Sequence, residues 1–183
     1  MQNVRVFFEK TGMTKYISHL DLMRCMTRAI KRAAIPAWYT EGFNPHLFIT
    51  FALPLTLGVE SLCESMDIRL TEEMGFEEVK NRLNVNLPDG IRITNVAVPV
   101  YKANDIAFAE YKITFHTRKN EKIKNEIEEK LLCDELLAEK MGKQGKRKVL
   151  KTINLKEFVN SYSVISLNDK TVLTAVLTAG SKN

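Results

Sequence analysis

Four cations, Arg24, Arg28, Lys31 and Arg32, follow one another at intervals of four, three and one. Wound into a helix they fall within an arc of about 100°. Such a stripe can hold phosphate oxygens, because guanidinium and ammonium groups pair with them whatever the sequence of the polyanion. An exposed helix ordinarily mixes signs to gain (i, i+4) pairs of about 0.2–0.5 kcal/mol each. Here Asp21 alone offers local compensation. Carboxylates from neighbouring elements would serve the stripe as well as a foreign anion, and the sequence leaves both open.

The second group is the run Trp38-Tyr39-Thr40-Glu41-Gly42-Phe43-Asn44-Pro45-His46-Leu47-Phe48. Gly42 permits positive φ and Pro45 keeps Asn44 extended, so the loop is expected to be stiff and able to aim side chains. Trp38, Tyr39 and Phe43 could stack on bases, Asn44 could read a base edge, and His46 could act as general acid or base in cleaving or modifying RNA. A Gly-x-Asn-Pro turn with aromatics beneath it is also an ordinary structural turn. His19 would matter if the fold brought it to His46; at a helix start it reads equally as a packed or capping residue. His116 lies in an expected strand with no partner nearby in sequence. There is no dependable Ser/His/Asp order, Walker loop, G-x-G-x-x-G or metal-ligand spacing, so no catalytic set is complete and neither metal nor cofactor is expected.

Lys140, Lys143, Lys146, Arg147, Lys148, Lys151 and Lys156 put seven positive charges into positions 140–156, where there is no Asp or Glu. The chain carries 27 basic and 22 acidic residues, net +5, so the remainder, with 20 and 22, stands at −2. A block that holds the whole excess is the footprint of an anionic partner, nucleic acid or an acidic protein surface. The alternative is a solvated loop whose lysines serve solubility.

The elements that must position these groups can be read from periodicity. Residues 4 to 9 alternate as a strand; Ser18 with Asp21 three residues on is a capping-box variant, and Pro36 stops the periodic segment, predicting a helix over 18–34. Strands follow at about 47–53 and 62–70, then a helix carrying Phe76, Val79 and Leu83, the turn Leu87-Pro88-Asp89-Gly90, and a strand from Ile91 through the Val96–Val100 stretch. The order β-α-β-β-α-β points to a ferredoxin-like α+β unit over 1–101, one antiparallel sheet with both helices on one face. A second, smaller and partly degenerate α+β unit is expected over 102–183. It would have a strand near 108–117, a helix near 120–138, the basic segment 140–156, and strands near 161–167 and 171–178. It stops soon after a strand, as a shortened copy would.

The 183 residues exclude a long multidomain enzyme, and 45% apolar content with 15 aromatics suffices for a real core. No apolar run approaches the roughly 18 residues of a membrane span, and the N-terminus reads as a strand rather than a signal peptide, so the expectation is a cytoplasmic protein without membrane contact. Cys25, Cys63 and Cys133 are odd in number and far apart, which argues for three reduced, mostly buried thiols.

The runs Tyr16-Ile17-Ser18-His19-Leu20-Asp21-Leu22-Met23-Arg24, Arg28-Ala29-Ile30-Lys31-Arg32-Ala33, Gly42-Phe43-Asn44-Pro45-His46 and Pro54-Leu55-Thr56-Leu57-Gly58-Val59-Glu60-Ser61 together resemble the bacterial radical SAM-linked family, a domain of unknown function designated DUF2344. The similarity is dense over 3–100 and looser beyond, where Asn154 and Lys156 stand in place of the family's Asp and Arg. The resemblance implies a radical SAM partner and an RNA or ribosomal context, and transfers no catalytic residue. The cysteines lack the C-x-x-x-C-x-x-C cluster motif, so the chain is expected to be the companion rather than the radical SAM enzyme. Three functional readings follow: an accessory protein that binds RNA or a ribonucleoprotein for that enzyme; a metal-independent RNA-processing enzyme using His46; and a protein-only adaptor docking the radical SAM partner. Oligomeric state is left open.

Overall fold

Val4, Val6 and Phe8 face one way along β1 (Gln2–Lys10), and all three are fully buried. β1 is the axis of a four-stranded sheet. It pairs antiparallel with β3 (Ser61–Leu70) on one side, Val4 opposite Ile68 and Val6 opposite Met66, and with β4 (Ile91–Ala97) on the other. The short β2 (Ile49–Phe51) adds to the outer edge of β3, giving the order β2-β3-β1-β4. This is a computed structural model; it describes residues 1–117, 119–144 and 147–179, with the backbone alone at Lys143, Gln144 and Arg147.

Two helices cover the face that carries Val4, Val6 and Phe8. α1 (His19–Arg32) buries Leu22, Met26, Ala29 and Ile30, and α2 (Phe76–Asn86) buries Val79 and Leu83, all within the one cluster formed by the β1, β3 and β4 residues. Ser18 caps α1 as its type requires: its hydroxyl accepts from the Asp21 N–H at 3.1 Å and donates to the Asp21 carboxylate at 2.7 Å. The helix stops before Pro36 by a Schellman arrangement, Ile35 N–H to Ile30 carbonyl at 3.2 Å and Ala34 N–H to Lys31 carbonyl at 3.2 Å, with both isoleucines buried. Glu77 and Glu78 sit in the first turn of α2, where the helix dipole favours them. Asn84 binds that helix to edge strand β4 through both backbone groups of Ile93, at 2.8 and 3.1 Å.

The chain divides into two compact units, Met1–Ile106 and Ala107–Asn183. In the second, β5 (Phe108–His116), β8 (Val159–Ser166) and β9 (Lys170–Thr178) form an antiparallel sheet in the order β5-β9-β8, and α3 (Asn120–Leu132) packs on β8 and β9. Buried Asn120 anchors the helix start, donating to the Leu167 and Asn168 carbonyls at 2.8 and 3.0 Å.

Mixed α+β architecture with three helices and antiparallel sheets is thus established among the described residues. Two local expectations are corrected. The helix expected to 138 ends at Leu132, and the basic segment is a hairpin of β6 (Leu137–Gln144) and β7 (Arg147–Asn154). The Val96–Val100 strand ends at Ala97, after which the chain leaves the ladder. No described helix is long and apolar enough to cross a membrane.

Candidate nucleic-acid interface

Leu22, Met26, Ala29 and Ile30 fix the roll of α1 on the sheet, and that roll turns Arg24, Arg28, Lys31 and Arg32 outward, all exposed. Arg24, Arg28 and Arg32 line a cleft of about 750 Å³ between α1 and the carboxyl end of α2, whose far wall is Val85, Asn86, Leu87 and Pro88. The stripe's charge is unevenly spent. Arg24 lies 2.9 Å from Asp21, both ends exposed, so solvent screens most of the attraction. Ser18 and Arg24 hold the Asp21 carboxyl below its ordinary range. Arg32 donates to the Asn86 carbonyl at 2.6 Å, while Arg82 of α2 donates to the Ala33 and Ala34 carbonyls at 3.4 and 3.3 Å. Each helix thus lends a guanidinium to the negative end of the other's dipole. Arg28 and Lys31 have no carboxylate partner among the described residues.

Cys25 sits half-buried in the same cleft, while Cys63 and Cys133 are exposed, which corrects the expectation of mostly buried thiols. Burial pushes the Cys25 thiol up, against the pull of the Arg32 and Arg28 charges, so it is the neutral thiol rather than a thiolate nucleophile.

The loop residues lie elsewhere. Phe43 and Asn44 are exposed at the tip, and none of residues 42–46 lines the α1–α2 cleft. The loop's feet pair as Tyr39 with Leu47, and Trp38 and Phe48 sit with Arg69 on the sheet face away from the helices. The stripe and the Gly42–His46 turn are therefore not one groove. His46 is exposed, and its Nδ1 lies 3.0 Å from the Thr40 hydroxyl and 3.2 Å from the Asn44 carbonyl oxygen, so one ring nitrogen is committed to its own turn. His19 packs edge-on to Phe51, centroids 5.0 Å apart; among the described residues nothing links it to His46. His116 is exposed on β5, opposite Lys170.

The basic hairpin sets Lys140 opposite Lys151 and Lys143 opposite Lys148, two like-charge cross-strand pairs. Lys148 and Lys151 are exposed, as is Lys140. Lys146 lies outside the described residues, as do the side chains of Lys143 and Arg147. Lys156 is not part of the ribbon: its ammonium donates to the Leu131 and Cys133 carbonyls and so caps α3.

Sequence reasoning missed Arg69, which reads only as the polar alternate of β3 beside Asp67. The available signal was the pair of aromatics, Trp38 and Phe48, flanking a turn that docks on that strand.

The sequence matches the family DUF2344, described as an uncharacterized protein conserved in bacteria, over residues 3–183. The chain belongs to the DUF2344 family. The match spans both units, so the hairpin of this DUF2344 chain is part of the family domain as much as the α1 cleft is. No curated protein matches it.

Proposed function

We propose that this DUF2344 chain is an accessory protein that binds RNA or a ribonucleoprotein and presents it to a radical SAM enzyme. The observation that carries the RNA reading is the α1–α2 cleft: three guanidiniums in one wall, with Arg28 in it and Lys31 beside it unmatched by any described carboxylate. Surfaces that pair their own charges need no polyanion, whereas unspent cations gain most by releasing the counterions of one. Lys140, Lys148 and Lys151 on the β6–β7 ribbon would extend the same attraction. The order β2-β3-β1-β4, with α1 and α2 on one face, supports a ferredoxin-like reading of the first unit. The radical SAM partner rests on the sequence resemblance alone.

The test is binding of total cellular RNA by the full chain across a salt series. Each phosphate contact contributes about −0.7 to −0.9 to the log-log slope. Arg28→Glu with Lys31→Glu, both exposed, should weaken binding and flatten that slope by about 1.4 to 1.8. Absence of RNA affinity at low salt ends the proposal. Capture of the radical SAM enzyme that persists after nuclease treatment would instead favour a protein-only adaptor.

A further inference from the structure

On the face of the β2-β3-β1-β4 sheet opposite the helices lies a second cleft, of about 430 Å³, and we propose that it binds a single nucleotide, with the base against Arg69 and Tyr101. The choice of ligand rests on the RNA reading above, but the site consists of other residues.

Arg69 and Arg5 both project from this face, and their charges meet different fates. Arg5 is spent on Asp67, Nε to Oδ1 at 2.7 Å and Nη2 to Oδ2 at 2.8 Å. That pairing occupies both oxygens of Asp67, the one carboxylate that lines the cleft among the described residues. Arg69 donates only its Nε, to neutral Asn3 at 3.1 Å. Its guanidinium carbon stands 5.1 Å from the Trp38 ring centre and 5.0 Å from that of Phe48. The two rings, 5.6 Å apart, hold its plane in place and shield it on their side. A positioned, uncompensated guanidinium is left facing the cavity, and Lys102 on the opposite wall adds a second positive charge.

That opposite wall is the segment Pro99–Asn104, which follows β4 and belongs to the same unit. Tyr101 is 73% exposed and Val100 82%, so flat and apolar surface is left uncovered beside the cations. Asn3, Thr50 and Asn104 supply donors and acceptors around the rim. Inorganic phosphate would use only the charges, and a duplex is too wide for a cavity of small-ligand size. A flat, hydrogen-bonding, anionic ligand uses all of it. That is a nucleotide with its base out of the stack, since bases stack on tyrosine rings and on guanidinium planes and are read by amides along their edges. A free nucleotide and an unpaired nucleotide of an RNA strand share this chemistry.

Trp38 is the one tryptophan of the chain and touches Arg69, so its emission reports directly on the site. The full chain would be titrated with nucleoside monophosphates, with short single-stranded oligoribonucleotides, and with inorganic phosphate. The expected result is a saturable change in Trp38 emission with one or both nucleotide ligands and none with phosphate. A response to monophosphates assigns a free-nucleotide site, and a response to oligomers alone assigns an RNA strand. Tyr101→Ala, at an exposed position, should weaken the midpoint by about fivefold to 150-fold, the range of one lost base–aromatic stack. Arg69→Met, which keeps the stem over the rings, should do at least as much, and Glu121→Gln, exposed on α3 and outside both clefts, should leave the midpoint alone. No response to either nucleotide ligand, an equal response to phosphate, or a response that Tyr101→Ala leaves intact overturns the proposal. Because Arg28→Glu acts on RNA affinity and Tyr101→Ala on Trp38 emission, loss of one behaviour without the other shows which reading has failed.

Discussion

At Ala34 the backbone turns left-handed, φ +49°, one residue past the cap of α1. Such a conformation costs an L-residue about 1–2 kcal/mol, and glycine adopts it freely at this place in a Schellman motif. Ala34→Gly should therefore stabilise the protein, by about 0.5–1 kcal/mol once the extra freedom of glycine in the unfolded chain is subtracted. Gly90 is the opposite case. Its φ is +90°, and a Cβ there would lie 2.5 Å from the Thr11 carbonyl oxygen. The Gly90 carbonyl also accepts from the Thr11 N–H at 2.7 Å and the Thr14 hydroxyl at 3.0 Å, so the turn cannot shift without losing both bonds. Gly90→Ala should cost more than about 2 kcal/mol, strain and lost hydrogen bonds together. Urea denaturation of the two variants beside the parent checks both signs. A loss at position 34, or no loss at 90, would contradict the backbone geometry on which both rest.

Between elements, the β6–β7 ribbon sets stability against binding. Lys140 faces Lys151 and Lys143 faces Lys148, and like charges directly opposite destabilise a pair of strands. A two-stranded hairpin is marginal in water to begin with. Lys140→Glu would replace one repulsion by an attraction, so it should slow amide exchange along β6 and β7 by a factor of about 1.4 to 5, the effect of about 0.2–1 kcal/mol on local opening. RNA affinity should fall in the same variant; a rise in both, or a fall in both, would break the link between repulsion and function. The ribbon also marks where sequence reading runs out. α1 is legible because local groups define it: Ser18 and Asp21 at its start, Pro36 after its end, and a single apolar face between. β1 is legible from Val4, Val6 and Phe8. The ribbon is not, because lysines interrupt the alternation and only cross-strand register makes it a hairpin. The α1–α2 cleft is hidden for a different reason. It exists only when Arg32 meets the Asn86 carbonyl, 54 positions away. The Arg69 cleft likewise needs Trp38, Phe48 and the segment after β4 gathered onto one face.

For the whole molecule, the distribution of buried apolar surface decides which part holds longest. Eighteen of the twenty buried hydrophobic residues described belong to Met1–Ile106, in one cluster from Val4 to Val96. The second unit contributes Val172 and Ala175, while Phe108, Ile113, Leu132 and Ile165 remain exposed. Each fully buried Val, Leu, Ile, Phe or Met side chain contributes about 1.5–3 kcal/mol before the entropy of ordering is charged against it. Every residue of the second unit still pays that entropy, with far less burial to offset it. Its β5-β9-β8 sheet and α3 should therefore open at lower free energy than the sheet built on β1. Hydrogen exchange of the full chain should find the most protected amides in β1 and β3, exchanging only through unfolding of the first unit, and markedly faster exchange throughout β5, β8 and β9. Denaturant unfolding followed by Trp38 emission, which reports the first unit, should then have a midpoint above that followed by far-ultraviolet circular dichroism, which reports both. Coincident midpoints with uniform protection would mean that the two units unfold as one, and that the sparse core of the second gains its stability from a source other than its own packing.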